Sequence, residues 1–455
     1  MFGKRETEHY DYPILSIYND IMKPNIFNQL VQNIEISQNQ SIIYIHIPFC
    51  ASQCIFCNYY KIAKFDITLI ENYFLCLEKE VKYYANRFRN HVKIVGVHFG
   101  GGTPSAVPVR YYALLLDVIG NQFCLDETAI VSFEGNINSL SKKDYIKQLK
   151  SIGINRISFG IQTFNQEIRD RYGLKGNLGT IANLCDILQN EGMKNYNADI
   201  MFNFPEQNVL EVYENVITAF ELGVQAIDLY SLLIYPETKM YYSFRKNNIW
   251  KEYSDKERIN GYEQLYKKLA NNSSYAFTMS NTIAIKNIEE NIILSTQLGN
   301  NHCNPGNIFG IGASSRGYVC GLKYKNYVEI NEYLASVEQY SFAAHLGRKL
   351  TDLEINTRWL VMAPNFMCID TSSGIIDEEN KKLLDLLVKK QVLSYKHSKY
   401  VFNRGMNFWA GNVSALLMSP HETLRMKNTV LMNRKKHLNM YNQDKMQIIE
   451  GDIFD

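Results

Sequence analysis

Six times between residues 41 and 272 the chain sets a short apolar run before a longer stretch of helical periodicity. The runs are 41–47 (SIIYIHI), 92–99, 129–135, 155–162, 197–205 and 226–234, and the helical stretches are 67–88, 109–120, 141–153, 180–192, 209–223 and 256–272. The stretch 141–153 reads as a helix opened by a Ser141 cap and closed by Gly153. Strands separated by helices must run parallel, with right-handed crossovers between them. That leaves a doubly wound sheet or a barrel, full or partial, and in either one reactive groups belong at the carboxyl ends of the strands.

Just past the first run, Cys50, Cys54 and Cys57 crowd into eight residues of a chain with nine cysteines in 455. An odd number of cysteines in a long chain argues against a disulfide scaffold. The N-terminal residues show no apolar segment behind a basic one, and no apolar run approaches the roughly 18 residues of a membrane span. The expectation is therefore a cytoplasmic protein in a reducing compartment. A formal net charge of +2 gives no electrostatic reason to bind nucleic acid, and Lys389, Lys390 and Lys396 read as a solvated face. Structural zinc prefers four ligands, usually as two separated pairs, and no second pair is visible here. Three thiolates suit a [4Fe–4S] cluster with one iron open to an outside ligand. The plainer alternative is three cysteines packed in a turn.

Other polar residues fall at the expected strand ends. "GGGTP" (100–104) strips away side chains so that backbone and ligand can approach closely, although a plain strand–helix turn is the alternative. Glu134 ends an apolar strand, where a carboxylate is costly to bury without a partner. Gln162 ends the fourth run and Asp199 lies within the fifth. Phe56, beside Cys57, offers an aromatic face for an adenine.

Taken in order, "YIHIPFC…C.FC", "HFGGGTPS" (98–105), "ISFGIQTFN" (157–165) and "DIMFNFP" (199–205) resemble the radical S-adenosylmethionine (SAM) enzymes, and within them the oxygen-independent coproporphyrinogen III oxidase-like branch. The resemblance covers roughly residues 40–320. It implies an α/β fold, a partial (β/α)6 TIM-like barrel, with a small C-terminal α+β domain of winged-helix type. It implies Cys50, Cys54 and Cys57 as ligands of a [4Fe–4S] cluster, and Phe56, Gly101, Gly102, Thr103 and Glu134 as contacts of the cluster-bound SAM. Tyr44, Gln162 and Asp199 match positions around a second SAM, or a substrate in its place. Tyr44 and His46 are the candidate catalytic side chains, with a purely structural role for His46 as the alternative. The Gly-rich "NIFGIGASSRGY" (307–318) resembles a segment near that second molecule.

The pattern also departs from the coproporphyrinogen oxidases. Tyr59 stands where they have a further Cys, Leu174 where they have an Arg (with Arg171 and Lys175 nearby), and Asn203 where they have a Gly. The favoured expectation is accordingly methyl or methylene transfer, with two SAM molecules, to a hydrophobic ring-containing molecule. Coproporphyrinogen-type decarboxylation, anaerobic haem ring opening and a non-enzymatic haem chaperone are the alternatives. The partners implied are a porphyrin-like or other ring-containing substrate and an electron donor such as flavodoxin or ferredoxin. The expected organisation is an N-terminal extension (1–40), the barrel with an accessory segment (41–340), a linker near 340–350, a substrate-capping domain (350–420) and a tail (421–455). Residues 280–306 read as irregular chain.

Overall fold

The computed structural model describes residues 13, 15, 20–36, 39–50, 54–233, 235, 238–247, 256–286, 306–419 and 422–424. The six expected strands form as β1 (Asn39–Ile47), β2 (Val92–Gly101), β3 (Cys124–Gly135), β4 (Arg156–Gln162), β5 (Tyr196–Phe202) and β6 (Ala226–Ser231), each pairing in parallel with the next. Helices lie between them as the periodicity predicts. After α1 (Pro24–Asn33), the longest is α2 (Ile67–Phe88), capped by the Asp66 side chain on the Leu69 amide and burying Ile70, Tyr73, Phe74, Leu77, Val81 and Tyr84 at three- and four-residue spacing. That stripe faces the sheet, as an amphipathic helix requires.

The barrel is open, and its sheet continues at both edges. Beyond β6, the hairpin of β7 (Tyr275–Phe277) and β8 (Thr282–Ile285) adds antiparallel strands. On the other side of β1, β9 (Asn307–Ile311) pairs in parallel, followed by antiparallel β10 (Arg316–Val319), β11 (Leu322–Asn326) and β12 (Ala344–Lys349). Two expectations change here. The stretch 340–350, expected as a linker, holds β12, and the start of the supposedly irregular 280–306 is β8; most of the remainder, 287–305, lies outside the described residues. Alternation in "TIAI" and "AHLGRK" is too short to separate a sheet edge from a loop.

What positions the site is the two-faced character of the parallel strands. Ile43, Ile45 and Ile47 on β1, Val97 and Phe99 on β2, Val131 and Phe133 on β3, and Ile157 and Phe159 on β4 enter the main core under the helices. The residues between them, Tyr44, His46, His98, Ser132, Glu134, Arg156 and Ser158, point to the opposite face. Asn197 and Asp199 on β5 and Asp228 on β6 continue that face. Parallel strands covered by helices on both sides are apolar throughout. These have one polar wall, which lines the lumen.

Three local features depart from expectation or explain it. Ser141 does not cap the helix after β3, which runs Lys143–Ser151 with Lys142 at its N-cap; the Ser141 hydroxyl instead donates to Ile137 O at 2.7 Å. Asn203 has φ 74°, a left-handed conformation that Gly adopts freely and Asn tolerates, so the exchange from Gly keeps the turn after β5. In the N-terminal region, α1 begins at Pro24, a favoured first helical position, and buries Phe27 against Tyr324 and Phe342 at ring separations of 5.4 and 5.0 Å.

The C-terminal part builds a second, smaller core. Its α3 (Asp352–Met362) starts with a Thr351–Glu354 capping box, and α4 (Glu378–Lys389) is capped by Asp377. The antiparallel strands β13 (Cys368–Asp370), β14 (Leu393–Lys396) and β15 (Lys399–Phe402) lie in the order β13-β15-β14. His397 and Ser398 both have positive φ, as a two-residue hairpin turn of primed type requires. Trp359, Leu384, Leu387, Tyr400 and Phe402 fill this core. It docks on the barrel through Asn407 Nδ2 to Ser280 O and Trp409 Nε1 to Glu263 Oε2, both at 2.9 Å. The expected tail from 425 onward lies outside the described residues.

Candidate functional site

The three cysteines sit on a loop that the fold closes at its base. The Cys50 amide donates to Ile62 O at 3.0 Å and the Ile62 amide to Pro48 O at 2.8 Å, so the chain returns to the end of β1 after twelve residues. Ile55 and Phe56 pack on an apolar patch with Ile168, Tyr172, Leu174, Met201 and Phe204. Phe56 is thus half-buried beside the loop it belongs to, and Leu174 packs in the same patch. Arg171 faces outward to an ion pair with Glu206.

None of Cys50, Cys54 and Cys57 is in a disulfide, and Cys50 is buried. Burial pushes the Cys54 thiol up to about 11, with the neighbouring Cys57 and Cys50 adding to the rise. A site that gathers three thiols where thiolates are disfavoured fits a positive group bound among them. Among the described residues, no three His, Cys, Asp or Glu side chains converge on a single metal ion. Three thiols on one loop are the donor type that an iron–sulfur cluster takes.

The glycine turn after β2 is pressed against this loop. The Gly102 amide donates to Ile47 O and the Thr103 amide to Phe49 O, both at 2.8 Å, and Thr103 Oγ1 lies 3.1 Å from Cys50 Sγ. A Cβ at Gly102 would lie 2.8 Å from the Pro48 carbonyl. Gly101 has φ +114°, and a Cβ there would meet the His46 ring at 2.6 Å. These glycines admit the Pro48 backbone at Gly102 and the His46 ring at Gly101.

Glu134 bridges the turn and the lumen. Its Oε1 accepts from His98 Nε2 at 2.9 Å and its Oε2 from the Gly101 amide at 3.2 Å. Burial raises its carboxyl, but the His98 bond and charge and the Gly101 amide outweigh it, so the group is held below the usual carboxylate range. The side chain is 39% exposed, and that exposure is to the lumen. An ionised carboxylate enclosed by protein yet open to a cavity can receive an ammonium or hydroxyl group.

Tyr44 and His46 are brought together. The Tyr44 hydroxyl donates to His46 Nδ1 at 3.1 Å, and His46 Nε2 reaches Tyr60 O at 3.4 Å. Burial lowers His46 to about 4, so the ring is neutral at physiological pH. Tyr44 also stacks on His98 with ring centroids 5.7 Å apart. At the far wall, Gln162 holds a left-handed backbone (φ 68°), and its Oε1 is buried without a protein partner. An unpartnered buried acceptor on strained backbone calls for a partner, and a ligand in the lumen would supply one.

Asp199 lies directly opposite Asp228 on β6. Burial, then the charges of Asp228 and Glu134, push Asp199 well above the ordinary carboxyl value. Asp228 is also raised by burial, but it accepts from Asn197 Nδ2 and Thr282 Oγ1. Of the pair, Asp199 is raised further, since Asn197 and Thr282 donate to Asp228. Buried Arg156, bonded to Ser132 Oγ at 3.0 Å, lies on the strand next to them.

Sequence reasoning missed His98, Arg156, Asp228 and Tyr235, and read Tyr59 only as a departure from the coproporphyrinogen oxidases. The Tyr59 ring is largely exposed, but desolvation of its hydroxyl by the surrounding protein pushes it up to about 12, and the charges of Glu134, Tyr235, Cys57 and Asp199 add to the rise. The signal was available: in "VGVHFGG", "IVSFEG", "RISFGIQ" and "YNADIMF" every second position is polar or glycine within an apolar run.

Comparison with known proteins agrees with this geometry. Residues 44–216 match the family model of the Radical SAM superfamily. The heme chaperone HemW of Lactococcus lactis subsp. lactis is 25% identical over 370 residues, covering 80% of this chain and 92% of that protein. An oxygen-independent coproporphyrinogen III oxidase of Synechocystis sp. is 27% identical over 228 residues, 50% of this chain and 49% of that one. The solved structure of coproporphyrinogen III oxidase (HemN) from Escherichia coli superposes with a TM-score of 0.74 at 19% identity, covering 91% of this chain and 99% of that one. The expected fold is therefore the one observed. Among the described residues no helix is long and apolar enough to cross a membrane. Residues 44–216 form a radical SAM domain, in a chain with relatives among heme chaperones and oxygen-independent coproporphyrinogen III oxidases.

Proposed function

We propose that this chain binds a [4Fe–4S] cluster through Cys50, Cys54 and Cys57, and that it uses SAM at that cluster to act on a tetrapyrrole-type ring in the lumen. The observation that carries the reading is the convergence of the cysteine loop, the glycine turn and the ionised Glu134 at one end of one polar cavity. Held by Cys50, Cys54 and Cys57, the cluster would pass one electron from an outside donor such as flavodoxin or ferredoxin to SAM for cleavage of its C–S bond. The residues have separable tasks. Glu134 receives the positive or hydroxyl-bearing part of the cofactor, Gly101 and Gly102 let its seat lie against β1, and Thr103 fixes Cys50. Neutral His46 and Tyr44 form the wall between that seat and the rest of the lumen. Gln162 and Asp199, its carboxyl raised by burial, face the ligand beyond it.

The tetrapyrrole class is supported by the relatives, whose names concern haem and coproporphyrinogen. Methyl transfer gains no support from those names. A second SAM at Tyr44, Gln162 and Asp199 remains compatible with the geometry but is not required by it. Haem carriage without turnover is the second reading, favoured by alignment over 92% of HemW. The deciding experiment incubates the reduced, reconstituted protein with SAM and either coproporphyrinogen III or haem. Formation of 5′-deoxyadenosine that rises with one tetrapyrrole, together with a changed tetrapyrrole mass, supports the enzyme. Tight haem binding with no 5′-deoxyadenosine supports the carrier.

A further inference from the structure

The fourth strand ends in a turn that is costly to hold. The register between β4 and β5 shifts between Gly160 and Gln162, so that Gln162 comes opposite Ile200, a residue of the core under the helices. A side chain in that register points away from the lumen. Gln162 does not. The Thr163 amide donates to Ile161 O at 2.9 Å across Gln162, whose φ is 68°, and this closes a γ-turn of the rare and strained hand. The side chain folds back along the strand: Gly160 lies opposite Asp199 on the lumen face, and a Cβ there would overlap Gln162 Nε2.

A buried guanidinium holds this turn. Arg169, on the short helix Gln166–Tyr172, is 1% exposed. Its Nη1 donates to Ile161 O at 2.6 Å and to Thr163 O at 2.7 Å, the carbonyls on either side of Gln162. Its Nε donates to Gly176 O at 2.9 Å and its Nη2 to Lys175 O. Burying a charged side chain is costly, and an apolar one would fill the same space without that cost. What the guanidinium adds is its grip on the carbonyls, two of which fix the turn. Asn215, on the helix Val209–Glu221, holds the downstream side through the Phe164 amide at 3.1 Å and Thr163 Oγ1 at 3.3 Å. Ile168 and Tyr172, on the helix that carries Arg169, pack on the patch that holds Cys54, Ile55 and Phe56. One short helix thus reaches from the cysteine loop to the Gln162 turn.

From this geometry we infer that Arg169 is a positioning residue that acts through Gln162: it holds the strained turn so that the Gln162 amide meets the ligand at a fixed place relative to the cysteine loop. The inference rests on the lumen being the ligand site proposed above, and goes beyond it in assigning the strain at Gln162 to ligand recognition. Gln162 Oε1 is buried without a protein partner. A carbonyl oxygen only accepts, so the ligand group it receives is a donor, an N–H or O–H.

The test is a double-mutant cycle on the full-length reconstituted protein, read in the denaturant midpoint without ligand and in affinity for coproporphyrin III by fluorescence quenching. Gln162→Gly removes both the strain and the buried acceptor, so it should raise the midpoint and lower affinity about tenfold or more. Arg169→Met should lose a similar affinity at wild-type iron content, and Arg169→Lys, which keeps a donor group, should retain more of it. With Gln162 already Gly, Arg169→Met should cost no further affinity. In turn, Gln162→Gly should add little to the midpoint of Arg169→Met, where the turn is no longer held. Should Arg169→Met fail to fold, Arg169→Lys carries the cycle. Additive losses of affinity, or the same rise in midpoint with and without Arg169, would overturn the assignment. So would a midpoint that falls in Gln162→Gly. A wild type without affinity for coproporphyrin III contradicts the tetrapyrrole reading instead, and the midpoints, which need no ligand, still decide whether Arg169 holds strain at Gln162.

Discussion

His98 Nε2 lies 2.9 Å from Glu134 Oε1, joining two neighbouring strands of the lumen wall. Because the carboxylate only accepts, the imidazole donates through Nε2. The bond keeps Glu134 ionised and aimed at the glycine turn. Glu134→Ala should keep the iron but weaken SAM binding by about 1.5–3 kcal/mol, the range for hydrogen bonds to charged groups. His98→Ala, which removes only the orienting bond, should weaken it by less. Anaerobic calorimetry on the two variants checks the order, and unchanged affinity in Glu134→Ala would remove this carboxylate from the site.

The glycine turn makes a different prediction. A methyl group at Gly102 collides with the Pro48 carbonyl at 2.8 Å, and at Gly101 with the His46 ring at 2.6 Å in a left-handed backbone. Gly102→Val should therefore displace the cysteine loop and lower iron incorporation, besides blocking SAM. Iron content by colorimetric assay decides the matter: full iron with lost SAM binding would mean that the turn touches the ligand and not the loop.

How much of this was legible beforehand depended on the range of each signal. The barrel was readable because six apolar runs and six helical stretches each extend over many residues, and the cysteine loop because three thiols stand so close together. The edge strands β8 and β12 were not, since four to six residues pair only through partners remote in sequence. Ser141 shows the limit of local rules: a hydroxyl has several carbonyls within reach, and tertiary context chose Ile137 over a helix start. His98 and Arg156 were overlooked because their strands were read as wholly apolar, although alternate positions were polar. The smaller rise at Asp228 depends in part on Thr282, 54 residues away along the chain and on a strand across the sheet. No window of sequence contains it.

In the proposed reading, Gln162 and Asp199 are the side chains that meet the ligand on β4 and β5. The double variant Gln162→Ala with Asp199→Ala should retain iron and SAM-dependent change in the cluster's absorbance, but lose tetrapyrrole affinity by about tenfold or more, the scale of a lost hydrogen bond or two. Titration by fluorescence quenching measures it. Wild-type affinity in the double variant would mean that the ring lies elsewhere.

Glu80 gives the fold a pH signature. Burial raises its carboxyl from the ordinary 4.5 to about 7, although the Gly312 amide, Tyr333 and Asn326 all donate to it. Between those two values the folded chain keeps a proton that the unfolded chain has lost, so this group's contribution to stability falls as pH rises through the window. The full change is on the order of 3 kcal/mol. Glu80→Gln does not titrate, so the stability of wild type relative to this variant should decline from pH 5 to pH 7 and then level off. A constant difference in denaturant midpoints across that range would show that Glu80 titrates normally.

The central claim is that Cys50, Cys54 and Cys57 hold the cluster at which SAM is cleaved. The most direct measurement is iron content, visible absorbance and 5′-deoxyadenosine yield for wild type and for the triple Cys→Ala variant after anaerobic reconstitution and reduction. The account predicts about four irons per chain in the wild type, with 5′-deoxyadenosine formed from SAM, and loss of iron, absorbance and product together in the variant. Absorbance and SAM cleavage that survive in the triple variant would contradict it.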